Sequence, residues 1–102
     1  MTLVASNKND LSNIIVRIDI KQIYASLYSY SVSFGGEPHF EDCGYTSIAD
    51  ALLAASSEGG EFLGYEVAYR GITIGTYQSI ASAADAEFIA QAAVDTIASL
   101  YS

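Results

Sequence analysis

Between Ile14 and Phe34 the chain alternates with a period of two. Ile14, Val16, Ile18, Ile20, Tyr24, Tyr28, Tyr30, Val32 and Phe34 share one parity, while Arg17, Asp19, Lys21, Ser29, Ser31 and Ser33 share the other. Successive side chains of an extended backbone point to opposite sides, and β-branched and aromatic residues suit that backbone. The run therefore reads as strand with one apolar and one polar face. A helix over Leu11, Ile14, Ile15 and Ile18 is the competing reading, and the density of Ile and Val weighs against it. One straight strand of this length would reach about 70 Å at roughly 3.3 Å per residue, against a radius of gyration near ~13 Å for a domain of ~100 residues. The run must turn back, and the break is expected between Lys21 and Ser26.

Downstream, Gly35-Gly36-Glu37-Pro38 is turn chemistry, because Gly accepts positive φ and Pro cannot extend a ladder. Ser47-Ile48-Ala49-Asp50 has the spacing of a helix N-cap followed by an acid in the first turn, which predicts a short helix from Ile48 to Ser56 ended at Gly59-Gly60. Phe62 to Tyr69 alternates again, Arg70-Gly71 offers a tight turn, and Ile72 to Tyr77 reads as the returning strand. Ser82-Ala83-Ala84-Asp85 repeats the cap before an Ala-rich helix to Tyr101. In that helix Phe88, Ile89, Ala93, Ile97, Leu100 and Tyr101 fall on one side and are expected to form its buried face.

Two stretches match: Tyr30-Ser-Val-Ser-Phe-Gly-Gly and Tyr65-Glu-Val-Ala-Tyr-Arg-Gly. Each is followed by Y-x-S-I-A-x-A, at Tyr45 to Ala51 and at Tyr77 to Ala83, with a longer middle connection in the first copy. Two ββα units, 24–57 and 62–102, follow from this, although generic ββα grammar would produce the same likeness. Neither unit alone could cover its aromatic face. The expected fold is a single α+β domain over 1–102. It has an antiparallel sheet of four to five strands, the units packed side by side with both helices on one face, and a flexible lead-in at 1–10. The other face, with Ser29, Ser31, Ser33, Glu66 and Ala68, is left uncovered, either solvated or available to a partner or a second subunit.

Composition then narrows the function. Twelve Asp and Glu against four Lys and Arg leave a formal charge of −8, which opposes direct binding to nucleic acid or an anionic membrane. Hydrophobic residues at 51% against 16% charged oppose disorder. The N-terminus MTLVASNKND has no apolar run of signal-peptide length and Cys43 is the sole cysteine, which reads as cytoplasmic. The charge is uneven: between Lys21 and Arg70 there is no Lys or Arg, but there are Glu37, Glu41, Asp42, Asp50, Glu58, Glu61 and Glu66. Like charges within ~8 Å of one another are incompletely screened at physiological salt and weaken a fold, so such clustering points to attraction toward something basic, with solubility of an apolar-rich chain as the plainer account. These seven residues are the candidate partner-binding set, and their convergence into one anionic platform is the expectation on which that reading depends.

Catalytic chemistry is sparse. His39 is the single histidine, and His39, Glu41 and Cys43 alternate without the paired spacings and fourth ligand of a structural zinc site. His39 is expected in a loop and Cys43 as a buried small hydrophobe. Glu41 and Asp42 are adjacent, which on a strand sends them to opposite faces and spoils shared acid/base work. There is no nucleophile elbow, P-loop or dinucleotide fingerprint, so no enzyme, metal or cofactor is expected.

Residues Tyr30 to Ala55, with an aromatic strand, a Pro-containing loop, Asp42-Cys43-Gly44-Tyr45-Thr46-Ser47 and an Ala/Leu helix, resemble the HicB-type antitoxin pattern without its DNA-binding segment. Tyr69 to Ala93 is similar to the AP2-type ββα module, though it has one Arg and no Trp where that module reads DNA. In size, acidity, α+β layout and lack of catalytic residues the whole chain resembles the small phage-encoded anti-CRISPR proteins, a group with no common motif from which to carry a residue over. That resemblance implies an inhibitor of a nucleic-acid-handling complex, acting in the host cytoplasm on a basic protein surface. The alternative is an antitoxin or structural subunit that acts through its open sheet face or as a homodimer.

Overall fold

The computed structural model describes residues 14–58 and 62–101. The lead-in expected at 1–10 and the Gly59-Gly60 helix stop lie outside these residues. The chain forms β1 (Ile15–Tyr24), β2 (Leu27–Phe34), β3 (Glu37–Tyr45), α1 (Ile48–Ser56), β4 (Gly64–Tyr69), β5 (Ile72–Tyr77) and α2 (Ala83–Tyr101). The long alternating run is thus two antiparallel strands, reversed at Ala25-Ser26 with Ser26 at φ 61°.

The fold is α+β, with a five-stranded sheet in the order β3-β2-β1-β4-β5. Three strand pairs, β1–β2, β2–β3 and β4–β5, are antiparallel, but β1 and β4 pair in parallel, so the sheet is mixed where an antiparallel one was expected. Strands β3 and β4 run the same way, which obliges the connection between them to cross the sheet, and α1 makes that crossing over β1, β2 and β3. Helix α2 packs beside α1 and against β5. Val16, Ile18, Ile20, Tyr30, Val32, Tyr65, Val67 and Tyr69 form one buried cluster with Leu52 and Ala55 of α1 and Ile89, Ala93 and Ile97 of α2. Both helices therefore cover the apolar parity of the strands.

The two ββα units do not pack side by side: β1 lies between them. Ile18 is the centre of the arrangement, paired with Val32 on one side and Val67 on the other, while Ile20 pairs with Tyr30 and Val16 with Tyr65. A half-turn about Ile18, perpendicular to the sheet, exchanges the matched positions. Both hairpins turn on two residues at positive φ, Gly35-Gly36 (65° and 80°) and Arg70-Gly71 (55° and 82°), the type I′ geometry whose twist suits a hairpin. The register shift beside each hairpin turn falls at the same place, Val32/Ser33 and Val67/Ala68, while a second shift in the first hairpin, at Tyr28/Ser29, has no counterpart. The strand ends at each turn, the turns, the bulges beside them and the helix starts correspond at a constant offset of 35 residues, from Tyr30/Tyr65 to Ser47/Ser82 and Asp50/Asp85, while β2 begins and β3 ends further from the turn than β4 and β5 do.

This corrects the second half of the sequence match. Aligning Tyr45 with Tyr77 required a longer middle connection in the first copy, whereas the structure equates Ser47 with Ser82, each accepting from the backbone N–H of the Asp three residues on, at 3.0 and 3.2 Å. The Y-x-S-I-A-x-A likeness is out of register by three residues. The buried face of α2 also differs from expectation. Ile89, Ala93 and Ile97 are buried with Ala86 and Ala90, but Phe88, Leu100 and Tyr101 are exposed, because α1 and β5 cover a narrow stripe of small residues.

Candidate functional site

The seven candidate acids separate into distinct settings. Glu37, Glu41 and Asp42 lie on β3, a free edge of the sheet, and all three are exposed. Asp50 is exposed in the first turn of α1, where it accepts from the hydroxyl of Thr46 at 3.4 Å. Glu58 follows α1 and accepts a 2.5 Å hydrogen bond from the buried Tyr30 hydroxyl. Glu66 lies on β4, on the uncovered sheet face, and Glu61 is outside the described residues. One anionic platform is therefore not what forms: Glu66 is on the opposite side of the sheet from Asp42 and Glu58. The reason is parity and register, which place Glu66 beside Arg17 across the parallel β1–β4 pair.

Around Arg17 the uncovered face is held by charge. The Arg17 Nε donates to Asp19 at 3.1 and 3.2 Å, and Nη1 donates to Glu66 at 2.9 Å and to the Thr73 hydroxyl at 3.2 Å. One guanidinium thus links β1, β4 and β5. Its planar fork can serve several acceptors at once, and the hydrogen bond it donates to Glu66 is the largest cause of a pKa raised above the usual arginine value. The two ion pairs of Arg17 are the salt bridges of the described residues. Glu66 is in this way neutralised internally.

On the helix side of the same sheet, Asp42, Tyr45, Tyr30 and Glu58 make a chain. The Tyr45 hydroxyl donates to Asp42 Oδ2 at 3.0 Å, the Cys43 N–H donates to Asp42 Oδ1 at 2.8 Å, and the rings of Tyr30 and Tyr45 stand 5.6 Å apart. Burial, reinforced by the Glu58 carboxylate, pushes the Tyr30 phenol well above the ordinary tyrosine range, and desolvation followed by the bond to Asp42 raises Tyr45. Two of the seven acids are brought together here through tyrosines. This cluster was missed in the sequence, since it needs the β2–β3 register and the return of α1 over β2.

Cys43 is exposed, contrary to its expected burial, because it lies on the open face of an edge strand, paired with Ser29. With Asp19, Lys21, Ser29, Ser31 and Glu41 it lines a shallow groove on that face. His39 is in β3, not in a loop. The bulge between Val32 and Ser33 leaves it opposite no single partner, and its ring stacks on Phe34 at 3.8 Å and 5°. The alternation of His39, Glu41 and Cys43 is broken by that bulge, and no group of three or more metal-type ligands is assembled among the described residues. No helix among them is long and apolar enough to cross a membrane.

Glu37, Glu41, Asp42 and Asp50 remain as a rim along β3 and the start of α1, none of them in an ion pair among the described residues. A row of carboxylates on an exposed edge can attract a basic surface, and it also deters strand addition. No protein family, curated protein or solved structure matches the chain.

Proposed function

We propose that this chain is an acidic binding protein that inhibits a nucleic-acid-handling complex by occupying its basic surface, with the rim of Glu37, Glu41, Asp42 and Asp50 as the contact. The observation that carries the reading is that the carboxylates of β3 are exposed and, among the described residues, meet no cation, Asp42 accepting only from the Tyr45 hydroxyl and the Cys43 N–H, whereas Glu66 is neutralised by Arg17. A partner's Lys and Arg would find there the negative charge they otherwise meet on a phosphate backbone. Such a contact is steered by charge, so it weakens steeply with ionic strength.

The test is capture of nucleic-acid-handling complexes from a bacterial lysate on the immobilised protein, with inhibition measured on the captured complex. The triple variant Glu37→Lys, Glu41→Lys, Asp42→Asn should keep its circular dichroism and melting behaviour while losing both capture and inhibition. Asp42→Asn keeps an acceptor for Tyr45. Undiminished inhibition by the folded variant would remove the proposal. An apolar contact through the open sheet face, the second reading, would instead survive high salt, but Arg17, Asp19, Lys21, Glu41 and Glu66 on that face disfavour a dry interface.

A further inference from the structure

The two edges of the sheet are equivalent by architecture and opposite in chemistry. At the constant offset of 35 residues, Glu37, Pro38, His39, Phe40, Glu41 and Asp42 of β3 correspond to Ile72, Thr73, Ile74, Gly75, Thr76 and Tyr77 of β5. Each device that guards an open edge on β3, its three carboxylates and its proline, is replaced on β5 by a neutral or β-branched residue. No charged side chain occurs from Ile72 to Ala84. Among the described residues, β5 pairs on one side with β4 and ends the sheet, and none of the backbone hydrogen bonds formed outside the strand ladders involves it. The exposure of Thr73, Thr76 and Gln78 leaves that margin accessible.

We propose that β5 is a pairing edge whose occupant is β5 of a second copy, joined antiparallel about a two-fold axis into a ten-stranded sheet. Charge selects this occupant and this edge. Two chains of net charge −8 repel wherever their acids meet, and β3 on β3 would set Glu41 and Asp42 against their own copies. Joining β5 to β5 sends both acidic β3 edges to the far ends, about 40 Å apart at ~4.8 Å per strand, well beyond the ~8 Å screening length. It also sets the Arg70 end of each strand against the Gln78–Asp85 end of the other, bringing a cation toward an acid. Pairing β3 with β5 would leave an open edge at each end and propagate, whereas β5 with β5 is closed. This inference does not rest on the proposed acidic contact, which uses the other edge.

The test is sedimentation equilibrium over roughly 10 μM to 1 mM, the range in which a small interface dissociates. The wild type should pass from one to two copies. Thr76→Lys should raise the midpoint at least tenfold, although it lowers the net negative charge and would by general repulsion alone favour association. Glu41→Lys on β3 should leave the midpoint unchanged or lower it. Independently of any variant, amide hydrogen exchange within 72–77 should slow as wild-type concentration rises, with β3 unaffected. A monomer throughout, a dimer that Thr76→Lys leaves intact, or one that Phe88→Glu on α2 abolishes while Thr76→Lys does not, would overturn the proposal.

Discussion

Tyr30 is the residue on which two features of the structure meet. Its ring is in the core at 3% exposure, while its hydroxyl donates to Glu58 and so joins β2 to the end of α1. Replacing it by Phe keeps the ring and leaves a carboxylate without its donor, at a cost of about 1–2 kcal/mol in urea unfolding at pH 7. The pH dependence has a definite sign. Tyr30, Tyr45 and Tyr69 all have phenol pKa values raised in the fold, chiefly by desolvation. The unfolded chain therefore loses phenolic protons first, from about pH 10, and stability is full below that pH and falls as pH rises toward the folded-state values. Tyr30→Phe removes one contributor, so its deficit should shrink between pH 9 and pH 11, measured by denaturant titration at each pH. A deficit constant with pH would mean that the phenol is not desolvated.

Among the elements, the helix caps separate two alignments of the internal repeat. Ser47 caps α1 and Ser82 caps α2, each accepting from the first-turn Asp amide. Ser47→Ala and Ser82→Ala should each lower stability by about 1 kcal/mol. Ser79, which the Y-x-S-I-A-x-A match pairs with Ser47, is exposed ahead of α2, and Ser79→Ala should stay within about 0.5 kcal/mol of wild type in thermal melts. A large effect at Ser79 would restore the other alignment. The element boundaries were readable because their causes are local: paired glycines or Arg-Gly at I′ turns, and Ser-x-x-Asp at helix starts. The expected spans Ile48–Ser56 and Ile72–Tyr77 match the observed ones. The faces were less readable. Phe88 and Tyr101 are apolar at helical spacing yet exposed, since burial depends on how much of α2 its neighbours cover.

For the whole molecule, charge acts on stability as well as on recognition. A chain of −8 in which the described ion pairs all belong to Arg17 keeps most of its carboxylates uncompensated. Screening should therefore relieve more repulsion than it removes attraction. The melting temperature is expected to rise by a few degrees between about 50 mM and 500 mM NaCl, whereas a salt-bridged surface would show a fall. Choline chloride should do the same as NaCl, because the effect requires ionic strength and no bound cation.

The pattern of residues by itself determined the alternating strands, the turns, the two helices, the apolar and polar parities and the excess of acid between Lys21 and Arg70, but not β3, where His39 was expected in a loop. Each of these depends on neighbours a few positions away. Only the tertiary structure decided that β1 enters between the two ββα units, that β1 and β4 run parallel, and that Glu66 meets Arg17 across 49 residues of chain. It likewise decided that the acids divide between two sheet faces, and that β3 and β5 become the edges. Those outcomes depend on strand order and register, which arise from many contacts between distant segments acting together, and no local spacing encodes which strand lies beside which.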